Sequence, residues 1–355
     1  MSVPERIVVG MSGGVDSSVA AALLVEQGYE VVGVTMRLAG SASRCCSLDD
    51  ADDARRVAER LGIRFYVADY AERFREEVVQ PFADAYLAGR TPIPCVTCNR
   101  RFKFHHLRAR ARALGAAAVA TGHYARVERD PATGRPTLWR GADAHKDQSY
   151  FLFDLGPDEL EGARFPLGDL TKEEVRARAR ALGLATAGKP ESQEICFVPE
   201  GRYADVVEKV RPERLPGEGE IVDGSGRVLG RHGGIHRFTV GQRRGLGLEE
   251  GPWYVRRLDA ARNRVVVGRR EDLASRGLEV RGVSWVAGSA PEGSVRAEVQ
   301  IRHRHPGAEA TVEPTPEGAR VHFDAPVAAV TPGQAAVFYA GAKVLGGGWI
   351  EAPRP

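Results

Sequence analysis

In the N-terminal half of the chain, short apolar runs alternate with segments of helical character. Residues 7–11 form an apolar run that ends in a glycine-containing loop, and the apolar segment 19–25 predicts a helix that closes at Gly28. Further buried strands are predicted over residues 29–36, 64–67 and 116–120, with a helix over residues 47–61. Strands that alternate with helices indicate an α/β domain, in which a parallel sheet is covered on both faces.

The pattern changes after about residue 197, where Gly and Pro separate short alternating segments such as 226–230 and 264–268. A further series over 295–301, 319–323 and 335–339 has the spacing of a small antiparallel barrel or sandwich. We therefore expect three domains: residues 1–205, a small mainly-β central domain over 206–275, and a C-terminal β-barrel over 276–355.

Composition narrows the class of protein. The 355 residues exceed one ordinary core, and 43% hydrophobic with 27% charged residues is typical of a folded protein. Fifty basic against 47 acidic residues leave a net charge of +3, so any argument for nucleic-acid binding must be local. The longest apolar run, residues 19–25, is far shorter than the roughly 20 residues of a membrane span, and the first ten residues do not resemble a signal peptide. We expect a cytoplasmic protein with no membrane partner.

The first glycine loop carries chemistry. It reads Ser12-Gly13-Gly14-Val15-Asp16-Ser17 and lies between a predicted strand and a predicted helix. Backbone N–H groups and the positive helix end would face an anion there, and phosphate is the natural candidate. Asp16 could hold the Mg²⁺ that accompanies a nucleoside triphosphate. The alternative is a purely structural turn. The Walker lysine and a well-placed G-x-G-x-x-G are absent, which disfavours P-loop kinases and dinucleotide dehydrogenases.

Five cysteines in a chain without an export signal make a disulfide framework unfavourable. Cys95 and Cys98 form a C-x-x-C pair after two prolines, which predicts a loop, and Cys196 is distant in sequence. A structural zinc site would require two more Cys or His ligands at a recognisable spacing. The adjacent Cys45 and Cys46 are poorly placed to supply them. We interpret Cys45 and Cys46 as structural. The other three favour sulfur or iron–sulfur chemistry over the alternatives of structural zinc and inert thiols.

The glycine loop resembles the pyrophosphate loop (PP-loop) of ATP pyrophosphatases, which adenylate a substrate oxygen and release pyrophosphate. Together with the C-x-x-C segment and the motifs over 121–126, 146–150, 192–197 and 238–247, it makes nearly the whole chain similar to the tRNA 2-thiouridylases of that class. The resemblance implies a Rossmann-like PP-loop domain followed by the two β domains, the last of which binds tRNA. Ile93 stands where the family often has Asn, and Cys95 where some members have Asp.

The reaction that this resemblance implies is ATP-dependent 2-thiolation of the wobble uridine in tRNA. AMP would be transferred to the C2 oxygen, and sulfur would come from a persulfide on Cys196 with Cys98 as nucleophile, forming a disulfide between them. A competing scheme makes Cys95, Cys98 and Cys196 three ligands of a 4Fe-4S cluster. The implied small molecules are ATP and Mg²⁺, and the implied partners are tRNA and a cysteine desulfurase or sulfur relay protein. The basic side chains that would lower the thiol pKa, if they face the site, are Arg100, Arg101 and Lys103.

The resemblance also implies two sets of binding residues. The ATP-binding set is Gly10, Met11, Ser12, Gly13, Gly14, Val15, Asp16, Ser17, Met36 and Gly122. The tRNA-binding set is Ile93, Pro94, Cys95, His123, Lys146, Asp147, Gln148, His303, Arg304 and Gln334. A flipped uridine must reach the cysteines.

Local charge supports an RNA partner. Basic residues without acids cluster over 100–112, 227–244 and 302–305. The alternatives are solvated basic faces and, for His123, a packed core histidine.

Two other functional hypotheses remain open. One is another ATP pyrophosphatase, either a sulfurtransferase for a different RNA position or an amide-forming synthetase such as argininosuccinate synthase. The three cysteines argue against a synthetase. The other is a non-catalytic, zinc-stabilised RNA-binding protein, which would leave the loop over residues 12–17 unexplained.

Overall fold

The computed structural model describes residues 4–38, 48–190, 195–198 and 201–354. Cys45 and Cys46, which the sequence suggests are structural, lie outside these ranges, as do residues 191–194 of the motif before Cys196. Within the described ranges, no helix is long and apolar enough to cross a membrane.

The strands and the helices of the described residues are numbered separately, each in chain order. The strands are β1 (Arg6–Gly10), β2 (Glu30–Arg37), β3 (Arg64–Asp69), β4 (Ala118–Ala120), β5 (Ala125–Arg129), β6 (Pro136–Arg140), β7 (Ala163–Arg164), β8 (Gly219–Val222), β9 (Val228–His232), β10 (Tyr254–Asp259), β11 (Arg264–Gly268), β12 (Ala274–Trp285), β13 (Val295–Gln300), β14 (Ala308–Thr315), β15 (Gly318–Ala328), β16 (Ala335–Ala340) and β17 (Lys343–Arg354). The helices are α1 (Val15–Glu26), α2 (Leu48–Leu61), α3 (Ala71–Phe74), α4 (Gln80–Leu87), α5 (Pro94–Cys98), α6 (Leu107–Ala113), α7 (Pro157–Glu161), α8 (Lys172–Ala181) and α9 (Tyr203–Val210). Two π-helical segments, Arg75–Val79 and Asn99–His106, continue α3 and α5.

The first domain is built on a parallel sheet with the strand order β3-β2-β1-β4-β7. Alternate residues of β1 point to opposite faces. Ile7 and Val9 pack in the same core as Val19 of α1 and Val175 of α8, while Val8 packs in a second core on the other face. The α/β domain with a doubly covered sheet is therefore confirmed.

The strand order reverses direction at β1, because the chain adds β2 and β3 on one side and β4 and β7 on the other. Such a switch point leaves a crevice at the carboxyl ends of the central strands, where ligands of α/β domains bind. The predicted glycine loop leaves the sheet at this crevice, directly after Gly10.

The two β domains agree with the sequence pattern. In the central domain, the strand order is β10-β11-β8-β9, with only the β8–β11 pair parallel. In the C-terminal domain, β12 pairs with both β15 and β17, so the six strands β12 to β17 close into a barrel. The β5–β6 hairpin of the first domain extends the barrel sheet through the pairing of Trp139 with Lys343.

The predicted loop around Cys95 and Cys98 is wrong. The chain is helical from Pro94 to Ala113, through α5, the π-helical segment and α6. Pro94 occupies the first turn of α5, where its missing N–H costs nothing and its fixed φ suits a helix. The proline that predicted a loop therefore begins a helix.

Candidate active site

The glycine loop is held closed by hydroxyl groups of the first turn of α1. Ser17 Oγ accepts a hydrogen bond from the backbone N–H of Ser12 at 3.1 Å and donates to the carbonyl of Gly14 at 3.2 Å. Ser18 Oγ donates to the same carbonyl at 2.8 Å. Gly14 is the N-cap residue and has no side chain with which to cap the helix. The N-terminal N–H groups of α1 therefore suit an anion.

Two glycines of the predicted ATP set are sterically required. Gly13 has φ +70°, and a Cβ atom there would lie 2.2 Å from the carbonyl oxygen of Asp50 on α2. A Cβ atom on Gly122 would lie 2.6 Å from the carbonyl carbon of Asp16. The chain segment after β4 thus rests directly on the glycine loop.

The predicted ATP residues meet at one edge of the sheet. Gly10 ends β1, Met36 lies near the end of β2 and Gly122 follows β4, and these strands are neighbours. Met11 is fixed to β2, because its N–H donates to the carbonyl of Val34 at 2.9 Å. The structure therefore places the loop, Met36 and Gly122 around the crevice at the switch point.

Asp16 is the centre of a hydrogen-bonded group. Lys172 Nζ donates to both carboxylate oxygens of Asp16, at 2.6 and 2.8 Å, and Tyr124 Oη donates to Oδ1 at 2.8 Å. Lys172 is buried at the start of α8, a helix that begins with a capping box between Thr171 and Glu174. The capping box thus fixes the backbone from which Lys172 reaches the loop.

Mg²⁺ bound with a triphosphate takes one or two protein carboxylates besides phosphate oxygens and water. Asp16 offers a carboxylate at the loop, but both of its oxygens accept hydrogen bonds from Lys172. In the part of the chain that is described, no three His, Cys, Asp or Glu side chains form a group that could hold a metal ion. Asp16 is thus half of an ion pair in this structure, and its role as a Mg²⁺ ligand stays a prediction.

A second lysine supports the loop from the other side. Lys189 Nζ donates to the carbonyl of Gly13 at 3.1 Å and to the carboxylates of Asp50 and Asp53 at 2.6 and 2.7 Å. Burial alone would lower the pKa of Lys189, but the hydrogen bonds and charges of the two aspartates outweigh it and raise that pKa. Lys189 therefore stays charged beside the loop at neutral pH.

A cavity of about 960 Å³ lies between the first domain and the barrel, and we call it the interdomain cavity. Its lining comes from segments 92–103, 123 and 140–151 of the first domain, Ile195, and segments 300–306 and 334 of the barrel. All ten residues of the predicted tRNA set line this cavity, namely Ile93, Pro94, Cys95, His123, Lys146, Asp147, Gln148, His303, Arg304 and Gln334. The structure therefore brings together residues more than 200 positions apart in sequence.

Three residues of the predicted tRNA-binding set form hydrogen bonds within the wall of the interdomain cavity. Asp147 Oδ1 accepts from the N–H groups of Gly141 and Ser149, at 3.0 and 3.1 Å. Gln148 Oε1 accepts from the N–H of Tyr124 at 3.1 Å. Gln334 Nε2 donates to the carbonyl of Thr91 at 3.0 Å, which ties the barrel to the first domain. These side chains hold the shape of the cavity.

His123 is buried and also lines the interdomain cavity. It is therefore both a packed histidine and a residue of the cavity that holds the predicted tRNA set. Burial lowers its pKa well below 6.5, and the charge of Lys103 lowers it further. Lys103 Nζ lies 3.2 Å from Nε2, and Thr121 Oγ1 lies 2.6 Å from Nδ1. The neutral ring accepts from Lys103 at Nε2, so Nδ1 carries the hydrogen and donates to Thr121.

The predicted basic patches are partly neutralised. Arg100 donates to both carboxylate oxygens of Asp154, at 2.9 and 2.8 Å, so its charge is compensated there and is not available to activate the cysteines. In the 227–244 patch, three of the five arginines form ion pairs: Arg227 with Asp223, Arg231 with Glu218 and Arg237 with Glu208. Arg243 and Arg244 are exposed and lack an acidic partner among the described residues.

The three cysteines are half-buried and divide between two sites. Cys95 lines the interdomain cavity and packs with the core that contains Ile93 and Phe104. Cys98 and Cys196 both pack against a different core, which contains Phe74 and Phe102.

The cluster and zinc alternatives need a shared donor set. In the described ranges, the cysteines do not form a group of three or more metal-binding side chains. As placed in this structure, the described cysteines therefore do not form the donor set of a three-cysteine cluster or of a structural zinc site.

Sequence reasoning missed both lysines at the loop. Lys172 contacts a residue 156 positions away and Lys189 one that is 176 positions away. The available signal was the Thr-Lys-Glu-Glu capping box, which places Lys172 at a helix start but says nothing of what it contacts. Asn99 was also missed as a cavity residue, whereas Lys103, which the sequence places near the thiols, lines the same cavity as Cys95. Cys95, Asn99 and Lys103 are spaced four residues apart, a helical spacing that a predicted loop conceals.

The chain matches three family models, described as a tRNA methyl transferase HUP domain over residues 5–200, a tRNA methyl transferase PRC-barrel domain over 204–269 and an aminomethyltransferase beta-barrel domain over 275–350. The tRNA-specific 2-thiouridylase MnmA of Solibacter usitatus is 52% identical over 370 residues, which cover 98% of this chain and 100% of the relative. The protein of the same name from Rhodospirillum centenum is 54% identical over 361 residues, covering 97% and 91%.

Among solved structures, a 4-thiouridine synthetase–RNA complex with bound ATP is 18% identical to this chain. The match covers 59% of this chain and 51% of the solved chain, with a TM-score of 0.41.

Proposed function

Because the chain belongs to the MnmA family of tRNA-specific 2-thiouridylases, we propose that it replaces the C2 oxygen of the wobble uridine in tRNA with sulfur, using ATP. The enzyme is a sulfurtransferase. Two of the matching domain models carry the name of a methyl transferase. A loop suited to phosphate and two cysteines that border one core support thiolation instead, because methyl transfer needs neither.

One observation carries the proposal: consecutive residues connect the glycine loop to the interdomain cavity. Gly122 packs against Asp16 of the loop, and His123, the next residue, lines the cavity. Adenylation of a uridine requires the α-phosphorus of ATP to meet the base oxygen. An RNA cavity directly beside a triphosphate loop satisfies that requirement.

In the first step, the C2 oxygen of uridine attacks the α-phosphorus, and pyrophosphate leaves. The N-terminal N–H groups of α1 bind the phosphates, while Lys172 holds the Asp16 carboxylate and Lys189 holds the Gly13 carbonyl, so that the loop keeps its shape. The neutral His123 and the cavity wall orient the base. The product is an adenylated uridine whose C2 oxygen can now leave with AMP.

In the second step, Cys98 and Cys196 deliver sulfur. The Cys98 thiolate attacks Sγ of a Cys196 persulfide, the bond between the two persulfide sulfurs breaks, and hydrosulfide leaves as a Cys98–Cys196 disulfide forms. Hydrosulfide attacks C2, and AMP departs with the electron pair of the C2–O bond. A thiol reductant then regenerates both cysteines, and a cysteine desulfurase or a relay protein reloads Cys196. The shared core of Cys98 and Cys196 supports this route.

The test is thiolation of an unmodified tRNA transcript with ATP, Mg²⁺, cysteine and a cysteine desulfurase. Mass spectrometry of nuclease fragments of the tRNA should find 2-thiouridine at the wobble position. The reaction solution, assayed before nuclease is added, should contain AMP and pyrophosphate in equal amounts. Asp16→Ala and Ser17→Ala should abolish the product, whereas Ser225→Ala, which removes a hydroxyl from a turn of the central domain, should not. Full thiolation by Asp16→Ala, or sulfur at another position, would contradict the proposal.

A further inference from the structure

Two chains of hydrogen bonds join the glycine loop to the segment Asp143–Gln148, which we call the 143–148 loop. This loop carries three residues of the predicted tRNA set, Lys146, Asp147 and Gln148, and it lines the interdomain cavity. Both chains end on the carboxylate of Asp16. The two proposed ligand sites therefore meet at one side chain.

The first chain runs through Tyr124. Its hydroxyl donates to Asp16 Oδ1 at 2.8 Å, and its backbone is fixed on both sides by Gln148. The N–H of Tyr124 donates to Gln148 Oε1 at 3.1 Å, and the N–H of Gln148 donates to the carbonyl of Tyr124 at 2.9 Å. If RNA displaces Gln148, the backbone of Tyr124 must move with it, and the hydroxyl of Tyr124 then shifts against Asp16.

The second chain runs through Lys172. Its ammonium holds both oxygens of Asp16, and its backbone N–H donates to Asp143 Oδ2 at 2.9 Å. Asp143 organises the other end of the loop, because its Oδ1 accepts from the N–H of His145 at 3.0 Å and its carbonyl accepts from the N–H of Lys146 at 3.0 Å. Asp143 therefore connects the start of α8 to the other residues of the 143–148 loop.

These parts form a rigid connection. Tyr124 is 3% and Lys172 9% exposed, so neither side chain has room to reorient without disturbing its neighbours. Tyr124, Asp143 and Lys172 belong to neither the predicted ATP-binding set nor the predicted tRNA-binding set. Their contacts connect the two sites.

We propose that Tyr124, Lys172 and Asp143 are positioning residues that couple tRNA binding at the 143–148 loop to the placement of Asp16, and thereby to ATP binding. The inference rests on the proposed function, since it takes tRNA and ATP as the two ligands. It assigns the coupling to named contacts. Because coupling free energies are reciprocal, ATP must tighten tRNA binding by the same factor by which tRNA tightens ATP binding.

The experiment measures that factor in the full-length protein. Dissociation constants for an unmodified tRNA are determined with and without a non-hydrolysable ATP analogue, and those for the analogue with and without tRNA. In the unsubstituted protein, each ligand should tighten the other by about fivefold or more, the lower end of usual coupling between sites.

Tyr124→Phe removes only the hydroxyl bond to Asp16. Asp143→Asn leaves one acceptor oxygen where the structure uses two, so either the turn bond or the bond to Lys172 is lost. Each substitution interrupts one of the two chains and should reduce the mutual effect, and the double variant Tyr124→Phe/Asp143→Asn should bring it to within about twofold of none, while the affinity for each ligand alone changes little. Tyr66→Phe, at an exposed tyrosine on β3, is the matched control and should keep the full factor.

A normal coupling factor in both variants would overturn the inference, and so would its absence in an unsubstituted protein that binds both ligands and thiolates tRNA. Failure of the unsubstituted protein to bind or thiolate tRNA would instead contradict the proposed function. Thermal unfolding of each variant checks the fold: a reduced coupling factor at an unchanged melting temperature supports the inference, whereas a merely structural role would lower the melting temperature and leave the factor intact.

Discussion

Lys189 donates a hydrogen bond to the carbonyl oxygen of Gly13, with 3.1 Å between the two atoms, and so joins the glycine loop to the chain segment that leads to Cys196. The carboxylates of Asp50 and Asp53 on α2 share the same ammonium group. Without it, two carboxylates would face a site that must accept a triphosphate. Lys189 is therefore needed for the electrostatics of the loop as well as for its position.

We predict that Lys189→Met weakens ATP binding by tenfold or more, about 1.4 kcal/mol, and lowers the free energy of unfolding by roughly 1–3 kcal/mol, since a partly buried charge loses its partner. Binding of a non-hydrolysable ATP analogue and urea denaturation measure the two effects. Lys189→Arg should restore much of the affinity. Lys343→Met removes a similar Lys–Asp pair at the hairpin and should leave ATP binding unchanged; unaltered ATP affinity in Lys189→Met would contradict the prediction.

The cysteines should separate into two classes. Cys98→Ser and Cys196→Ser should abolish thiolation, because each removes one half of the predicted disulfide, yet both should still release pyrophosphate in the presence of tRNA. Cys95→Ala should keep appreciable activity, because Cys95 packs in a different core. Quantifying 2-thiouridine and pyrophosphate in parallel distinguishes the two classes. An inactive Cys95→Ala protein together with an absolute requirement for iron would favour the cluster scheme instead.

Much of the architecture was predictable because the relevant signals are local. The alternation of Ile7, Val8 and Val9 between two cores needs only the period of a strand, and the glycine loop after Gly10 follows from a strand, two glycines and a helix. The closed barrel follows from short alternating segments at regular spacing. The ten predicted tRNA residues came from resemblance, and the structure brings all of them to one cavity.

The rest depended on long-range contacts or on misleading local signals. Lys172 and Lys189 reach the loop from more than 150 positions away, so periodicity could not find them. Pro94 suggested a loop but begins a helix, since proline is favoured in a first helical turn as well as in turns. The strand pairing of Trp139 with Lys343 was also invisible, because it crosses from the first domain to the barrel.

The neutral state of His123 predicts a pH dependence. Burial lowers its pKa below 6.5 in the folded protein, so the unfolded chain binds a proton more readily. The stability due to neutral His123 is fully present above about pH 6.5 and is lost as the pH falls below that value. His123→Gln should therefore flatten the fall in stability between about pH 7 and pH 5, measured by urea denaturation at several pH values. His145→Gln, which removes an exposed histidine, is the control; an equal slope in His123→Gln and the unsubstituted protein would contradict the assignment.

The loop that carries Arg243 and Arg244 offers a further site for tRNA phosphates. It is rigid: the N–H of Gly241 donates to the carbonyl of Val255 at 2.8 Å, and Gln242 Nε2 donates to the carbonyl of Arg244 at 2.9 Å. Both arginines are exposed at its tip, whereas Arg227 nearby in sequence is paired with Asp223. Unpaired arginines on a fixed loop are suited to bind phosphate and release counterions.

Charge reversal in the double variant Arg243→Glu/Arg244→Glu should weaken tRNA binding by roughly tenfold or more and reduce the slope of log K against log salt by about one to two, since each lost phosphate contact removes about 0.7–0.9 of a released ion. Titrations at several salt concentrations give both quantities. Arg227→Glu should change them less, because Asp223 already offsets that charge. If the double variant keeps the affinity and slope of the unsubstituted protein, the loop is a solvated face, and the tRNA contacts are confined to the interdomain cavity and its rim.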